Sequence, residues 1–154
     1  NGEKLPTLEK YLKQGKKSKQ VKLIVEIKPA KTPELEDEMV IKTLKMIRDK
    51  SLENQCEFIS FSLHLCKEIK RQNPKAIVQY LAGDLSPLEI KNAGIDGLDY
   101  HYSVFLDKHP DWILEAKKLG LITNVWTVND EVIFKKLADL GVGFVTTNVP
   151  DVLK

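Results

Sequence analysis

The chain has 154 residues, of which 42% are hydrophobic and 30% are charged, so it is long enough to bury the core of one ordinary domain. Its 24 basic and 22 acidic residues leave a net charge of only +2, which gives no indication of a nucleic-acid or membrane surface. No apolar stretch approaches the roughly 20 residues of a membrane span.

Strand-like and helix-like runs alternate along the whole chain. Apolar runs typical of strands occupy residues 21–28, 56–62, 76–81, 97–102, 121–128 and 143–148, and amphipathic runs typical of helices occupy residues 6–14, 32–50, 63–72, 86–93, 110–119 and 130–140. From the second strand onward the strand starts are about 20–24 residues apart, which is the period of compact βα units. The pattern predicts a parallel sheet with right-handed crossovers.

Several helix ends carry recognisable signals. Ser86 is suited to cap a helix, with Glu89 three residues later as the second half of a capping box. Gly94, Gly120 and Gly141 follow helix-like runs, where residues with a left-handed backbone are expected.

Two closures of such a sheet are compatible with the pattern, an open doubly wound sheet and part of a (β/α)₈ TIM barrel. The tight, regular spacing favours the barrel. A complete barrel has eight units and typically about 250 residues. We therefore expect an α/β chain that supplies about six βα units of a barrel, with an N-terminal piece of the domain outside the 154 residues.

Glu26 and Lys28 are the most informative pair in the sequence. They stand two residues apart at the end of the first strand-like run, so both side chains point to the same face. Leu23, Val25 and Ile27 form the opposite, apolar face. Burying an unpaired carboxylate or ammonium group is costly, so this face is either solvated, with a simple ion pair, or part of a functional site.

Polar residues also mark the ends of the other strands, where sites gather in parallel α/β folds. Such a rim suits an anionic substrate, with oxygen ligands for a hard cation and an ammonium group for phosphate. Asp99 and His101 are spaced to form a carboxylate–imidazole pair, although a strand end anchored by local hydrogen bonds is favoured. The rim residues are Glu26, Lys28, Ser60, Ser62, Gln79, Asp99, His101, Asn124, Trp126 and residues 146–148.

Other common sites have no support in the sequence. Neither GxGxxG nor GxxxxGK[ST] occurs, and there is no GxSxG nucleophile elbow. Cys56 and Cys66 have no second pair or suitably spaced histidine for a metal site, and core thiols are favoured over a disulfide.

Five phrases together resemble the later part of a bacterial glycerophosphodiester phosphodiesterase. They are LPTLE at 5–9, VEIK at 25–28, SFS at 60–62, VWTVN at 125–129 and TNVPD at 147–151. The resemblance covers nearly the whole chain. It implies a (β/α)₈ barrel that hydrolyses glycerophosphodiesters, in glycerophospholipid catabolism, to glycerol 3-phosphate and an alcohol. It also implies a divalent cation, Mg²⁺ or Ca²⁺.

The resemblance assigns roles to three residues. Glu26 matches a metal-ligand glutamate, Lys28 matches a catalytic basic residue that contacts the phosphate, and Trp126 matches a residue of the substrate pocket. The family's His-Arg, Glu-x-Asp and His-Asp motifs are absent from these residues and are expected before residue 1. The family's Thr-Asp near the end is replaced here by Thr147-Asn148.

These features predict that residues 1–154 form the C-terminal portion of a single barrel domain. Its partners would be a small glycerophosphodiester and the missing N-terminal strands, without which we expect neither activity nor a stable monomer. The alternatives are a catalytically silent binding or scaffold domain derived from the same barrel, and an unrelated phosphate-binding barrel enzyme. The bacterial cytoplasm and the periplasm or secretion remain open as locations.

Overall fold

The computed structural model describes residue 2 and residues 4–153, and strands and helices alternate in it as predicted. A π-helical segment, Val104–Lys108, precedes α5. The strands are β1 (Leu23–Glu26), β2 (Cys56–Ser60), β3 (Val78–Tyr80), β4 (Gly97–His101), β5 (Ile122–Trp126) and β6 (Phe144–Val145). The helices are α1 (Leu8–Gly15), α2 (Pro33–Arg48), α3 (Leu63–Gln72), α4 (Pro87–Asn92), α5 (Trp112–Lys118) and α6 (Glu131–Asp139).

The six strands form one sheet in the order β1-β2-β3-β4-β5-β6. Every neighbouring pair is parallel. The sheet curls into part of a barrel with the helices outside, which confirms the predicted fold class. Chain order equals strand order because each βα unit crosses over to the next position in the sheet.

The core lies between the outer face of the sheet and the helices. In β2 the side chains of Cys56 and Phe58 are buried against that layer, whereas those of Glu57 and Ile59 are half-buried on the inner face. Burial of a side chain as large as Phe58 contributes roughly 1.5–3 kcal/mol. The inner face of β1 is more open, since Ile24 remains 48% exposed.

The predicted helix ends are confirmed. Ser86 and Glu89 form a reciprocal capping box, and Gly94, Gly120 and Gly141 all have positive φ.

Both cysteines are buried free thiols, as the sequence predicts. Across residue 2 and residues 4–153, the helices are too short or too polar to traverse a lipid bilayer.

Candidate active site

Side chains from all six strands or the loops that follow them meet in one cleft at the carboxyl end of the sheet. The cleft has a volume of about 300 Å³. It brings Glu26, Lys28 and Trp126 together, although they are separated by up to a hundred residues in sequence. Its lining residues are Glu26, Lys28, Ile59, Phe61, Leu81, Asp99, Trp126, Thr127 and Thr146.

Glu26 and Lys28 form an ion pair on the inner face. The Lys28 Nζ atom donates to Glu26 Oε1 at 2.6 Å, and the Lys28 side chain is 70% exposed. An exposed pair of this kind contributes only about 0–1 kcal/mol to stability. The ammonium group therefore loses little free energy when it exchanges Glu26 for another anion.

Trp126 forms a fixed aromatic wall of the cleft. Its Nε1 atom donates a hydrogen bond of 2.9 Å to the backbone oxygen of Asp99 on the neighbouring strand. The indole makes edge-to-face contacts with the rings of Phe61 and His101, with centroid distances of 5.8 and 5.2 Å. A ring held on three sides presents a rigid apolar surface to whatever enters the cleft.

Asp99 is the buried carboxyl group of the cleft. It is 2% exposed, and its Oδ1 atom has no hydrogen-bond partner among the described residues. Burial, and secondly the negative charge of Glu26, raise the pKa of Asp99 to about 7. The cleft therefore contains two carboxyl groups, and the charge of Glu26 acts on Asp99.

A sequence model of the glycerophosphoryl diester phosphodiesterase family matches residues 1–152. The chain belongs to this family. It superposes with a TM-score of 0.95 on the glycerophosphodiester phosphodiesterase of Parabacteroides distasonis, with 46% sequence identity over 99% of this chain and 63% of that one. The chain therefore spans less than two thirds of that protein's length.

Two more distant solved structures show the same fold. A phosphodiesterase from Oleispira antarctica, solved in complex with the product sn-glycerol-3-phosphate, gives a TM-score of 0.81 at 22% identity over 96% of this chain and 59% of that one. A glycerophosphodiester phosphodiesterase from Agrobacterium tumefaciens gives 0.74 at 16% identity over 96% and 60%. A comparison with curated protein sequences gives no significant match.

The divalent cation that this family implies can be tested against the residues of the cleft. Glu26 and Asp99 both line it, and the Asp99 Oδ1 atom is a buried acceptor without a donor. Carboxylate oxygens are the ligands that Mg²⁺ and Ca²⁺ prefer, so these residues fit such an ion. Within the part of the chain that the structure describes, no group of three or more His, Cys, Asp or Glu residues forms a full metal site.

Several predicted rim residues do not line the cleft. Ser60 donates to the backbone oxygen of Ile27 at 2.7 Å, and Ser62 caps α3. His101 Nδ1 bonds to Ser103 Oγ at 2.8 Å, so the strand end is anchored locally, as the favoured alternative predicts, and no hydrogen bond joins His101 to Asp99 among the described residues.

The loops that follow β5 and β6 are bonded to each other. Asn129 Oδ1 accepts hydrogen bonds from the Thr147 hydroxyl at 3.2 Å and from the backbone N–H of Asn148 at 2.9 Å. The two phrases VWTVN and TNVPD thus meet in space. Asn148 therefore has a structural role through its backbone N–H group. The contacts of the described residues do not indicate that its side chain binds a ligand.

Glu36 does not line the cleft but supports the loop beside it, and sequence reasoning missed it. It is 6% exposed, and its two carboxylate oxygens accept from the backbone N–H of Ala30 at 3.2 Å and from the Ser62 hydroxyl at 2.8 Å. These bonds fasten the loop after Lys28 to α2 and α3. The sequence gives no sign that Glu36 is buried, because it stands in the first turn of α2, where acidic residues are common for electrostatic reasons.

Asp99 should make stability depend on pH when no divalent cation is present. Its pKa rises from an ordinary value of about 3.9 to about 7 on folding, so the folded state binds the proton more tightly. Its contribution to the free energy of unfolding therefore falls as pH rises from about 4 to about 7 and is constant above that. We expect the free energy of unfolding of Asp99→Asn, relative to that of the wild type, to increase by on the order of 4 kcal/mol across this range.

Chemical denaturation at pH 4.5 and pH 8 in the presence of a chelator measures this effect. Asp107→Asn, which makes the same substitution at an exposed position of the π-helical segment, is the matched control. A difference between Asp99→Asn and the wild type that is equal at both pH values would contradict the raised pKa.

Proposed function

We propose that the protein carrying these residues hydrolyses glycerophosphodiesters to glycerol 3-phosphate and an alcohol, with Mg²⁺ or Ca²⁺ as cofactor. The observation that supports this most is the convergence of the Glu26 carboxylate, the Lys28 ammonium group and the Trp126 indole in one cleft. Family membership over residues 1–152 is the reason to interpret these three side chains as parts of a phosphodiesterase site.

In this proposal Lys28 binds the phosphate. Its Nζ atom lies on Glu26 in the free protein, and most of its side chain is exposed. A phosphodiester carries negative charge on its two free oxygens, so the ammonium group moves from Glu26 to one of them. Charge develops further on the phosphoryl oxygens in the transition state, where a fixed ammonium group stabilises it more than in the ground state.

Glu26 would hold the cation, and Asp99 is the other carboxyl group that lines the cleft. When bound, the cation supplies Lewis-acid polarisation of a phosphoryl oxygen. The departure of Lys28 frees the Glu26 oxygen that it occupies, so phosphate binding by Lys28 and cation binding by Glu26 assist each other.

The aromatic side of the cleft binds the carbon skeleton of the substrate. Trp126 and Phe61 meet edge to face there, and Thr127 and Thr146 lie beside them. A polar phosphate end and an apolar wall orient a small diester along one direction. The Oleispira antarctica phosphodiesterase, which has the same fold, was solved with sn-glycerol-3-phosphate, and we propose that a glycerol phosphate occupies this cleft.

We further propose that residues 1–154 are the C-terminal portion of a single (β/α)₈ domain. The chain covers 63% of the Parabacteroides distasonis enzyme, and six parallel strands account for six of eight barrel positions. Two of the three imidazoles make contacts outside the cleft: His64 pairs with Asp37, and His109 stacks on Trp112. The third, His101, packs behind Trp126 and is bonded to Ser103. The general acid and base would then come from the remainder of the barrel.

The direct test is an assay of the intact protein with glycerophosphocholine. We expect release of glycerol 3-phosphate and choline in equal amounts with Mg²⁺ or Ca²⁺, and no release after chelation. Formation of phosphocholine and glycerol would contradict the proposed cleavage, as would turnover that chelation leaves unchanged. A silent binding domain, which no observation here favours, would bind the diester without turnover.

A further inference from the structure

The inner face of the sheet contains a buried polar layer beside the cleft. Gln79 on β3, Asp99 on β4 and Asn124 on β5 are 1%, 2% and 7% exposed. Each leaves an oxygen atom without a hydrogen-bond partner among the described residues, namely Gln79 Oε1, Asp99 Oδ1 and Asn124 Oδ1. A buried acceptor without a donor is destabilising, so three of them together indicate that an electron-poor group belongs there.

The strand register places the three residues on one face. Asp99 is the register partner of Asn124, and Gln79 is the partner of Gly97, which points to the same side as Asp99 two residues later. The same face of β1 carries Glu26, which lines the cleft together with Asp99. The orphaned oxygens therefore lie on the side of the sheet where the cation is proposed to bind.

The chemistry of these oxygens narrows the identity of the missing group. A proton on Asp99 would provide one donor for one partner and would leave further acceptors unmatched. The nearby ammonium groups of the inner face are already engaged, Lys28 with Glu26 and Lys22 with Glu57. Carboxylate and amide oxygens are the characteristic ligands of hard divalent cations.

We propose that Asp99 is a further carboxylate ligand of the divalent cation that Glu26 binds, with the amide oxygens of Gln79 and Asn124 as neutral oxygen donors beside it. This rests on the proposed function, because it takes the cation at Glu26 from there. The proposal adds a ligand from β4 to the ligand from β1. The cation site would then join two strands that are not neighbours in the sheet.

Isothermal titration calorimetry of the intact protein with MgCl₂ and with CaCl₂ tests this ligand. We expect Asp99→Asn and Glu26→Gln each to raise the dissociation constant at least tenfold, and Asp107→Asn to leave it unchanged. Asp99→Ser is the second variant, with the same expected loss, in case the asparagine variant does not fold. Thermal unfolding gives an independent readout, since a bound cation raises the melting temperature of the wild type and should raise that of either Asp99 variant much less.

The outcomes separate this inference from the function on which it rests. Weakened binding in Glu26→Gln with unchanged binding in both Asp99 variants would overturn the role of Asp99 alone. Unchanged binding in all of them would overturn the cation site at Glu26 as well. A loss in the Asp99 variants with none in Glu26→Gln would overturn the shared site, because the ion would then sit on Asp99 without Glu26.

Discussion

Replacement of Glu26 by glutamine in the intact protein should lower kcat/KM for glycerophosphocholine on the order of 100-fold or more, because bound metal supplies several kcal/mol of charge stabilisation in reactions of this kind. Glutamine preserves the size of the side chain but removes the charge that attracts the cation. It also removes the ion-pair partner of Lys28, which lies 2.6 Å from Glu26 Oε1. The loss should be partly recovered at high metal concentration.

The control for this variant is Glu38→Gln. Glu38 is an exposed glutamate on α2 that also pairs with a lysine, Lys42, at 2.9 Å, but it lies outside the cleft. Its replacement should leave turnover unchanged. If Glu26→Gln retained full activity at both limiting and saturating metal, Glu26 would not be a ligand.

Replacement of Lys28 by methionine should lower kcat more than it raises KM. A pair of charges about 4 Å apart is worth on the order of 4 kcal/mol at an effective dielectric constant of 20, before the cost of desolvation. Part of this energy is available only when charge develops on the phosphoryl oxygens, so we expect a fall in kcat of about 100-fold. Steady-state kinetics with saturating metal measures both constants.

Lys42→Met is the matched control, since it deletes the ammonium group of an exposed Lys–Glu pair on α2. Its kinetic constants should equal those of the wild type. A Lys28→Met variant with an altered KM and a normal kcat would mean that Lys28 binds the substrate but does not assist the reaction.

The parallel sheet was predictable because its signals are local. The spacing of about 20–24 residues between strand starts and the capping box at Ser86 each depend on neighbouring residues. The extent of the last strand was less predictable. The pattern predicts a strand over 143–148, whereas β6 comprises only Phe144–Val145. Thr147 and Asn148 instead turn into the loop that bonds to Asn129.

Side-chain direction in the candidate site was predictable where alternation is clear. Glu26 and Lys28 share a face because they are two residues apart, and Trp126 is the last residue of a mostly buried strand, β5. The same rule places Ser60 on the face of Phe58, away from the cleft. Its position at a strand end was therefore not enough to make it a residue of the cleft.

The burial of Asp99 and Glu36 was not predictable from the sequence. The environment of Asp99 depends on Glu26, 73 residues earlier, and on Asn124 in the neighbouring strand. The burial of Glu36 depends on Ala30 and on Ser62, which approach it only after β1 and β2 have paired. Such contacts arise from tertiary packing and leave no periodic trace in the chain.

A crystal structure of the intact protein with Ca²⁺ and sn-glycerol 3-phosphate tests the central claim most directly. We expect a calcium ion at roughly 2.3–2.6 Å from a Glu26 oxygen. We also expect Lys28 Nζ to donate to a phosphate oxygen and the glycerol carbons to pack against Trp126. A phosphate bound elsewhere, with the Glu26–Lys28 pair intact and no ion at Glu26, would contradict the proposed function.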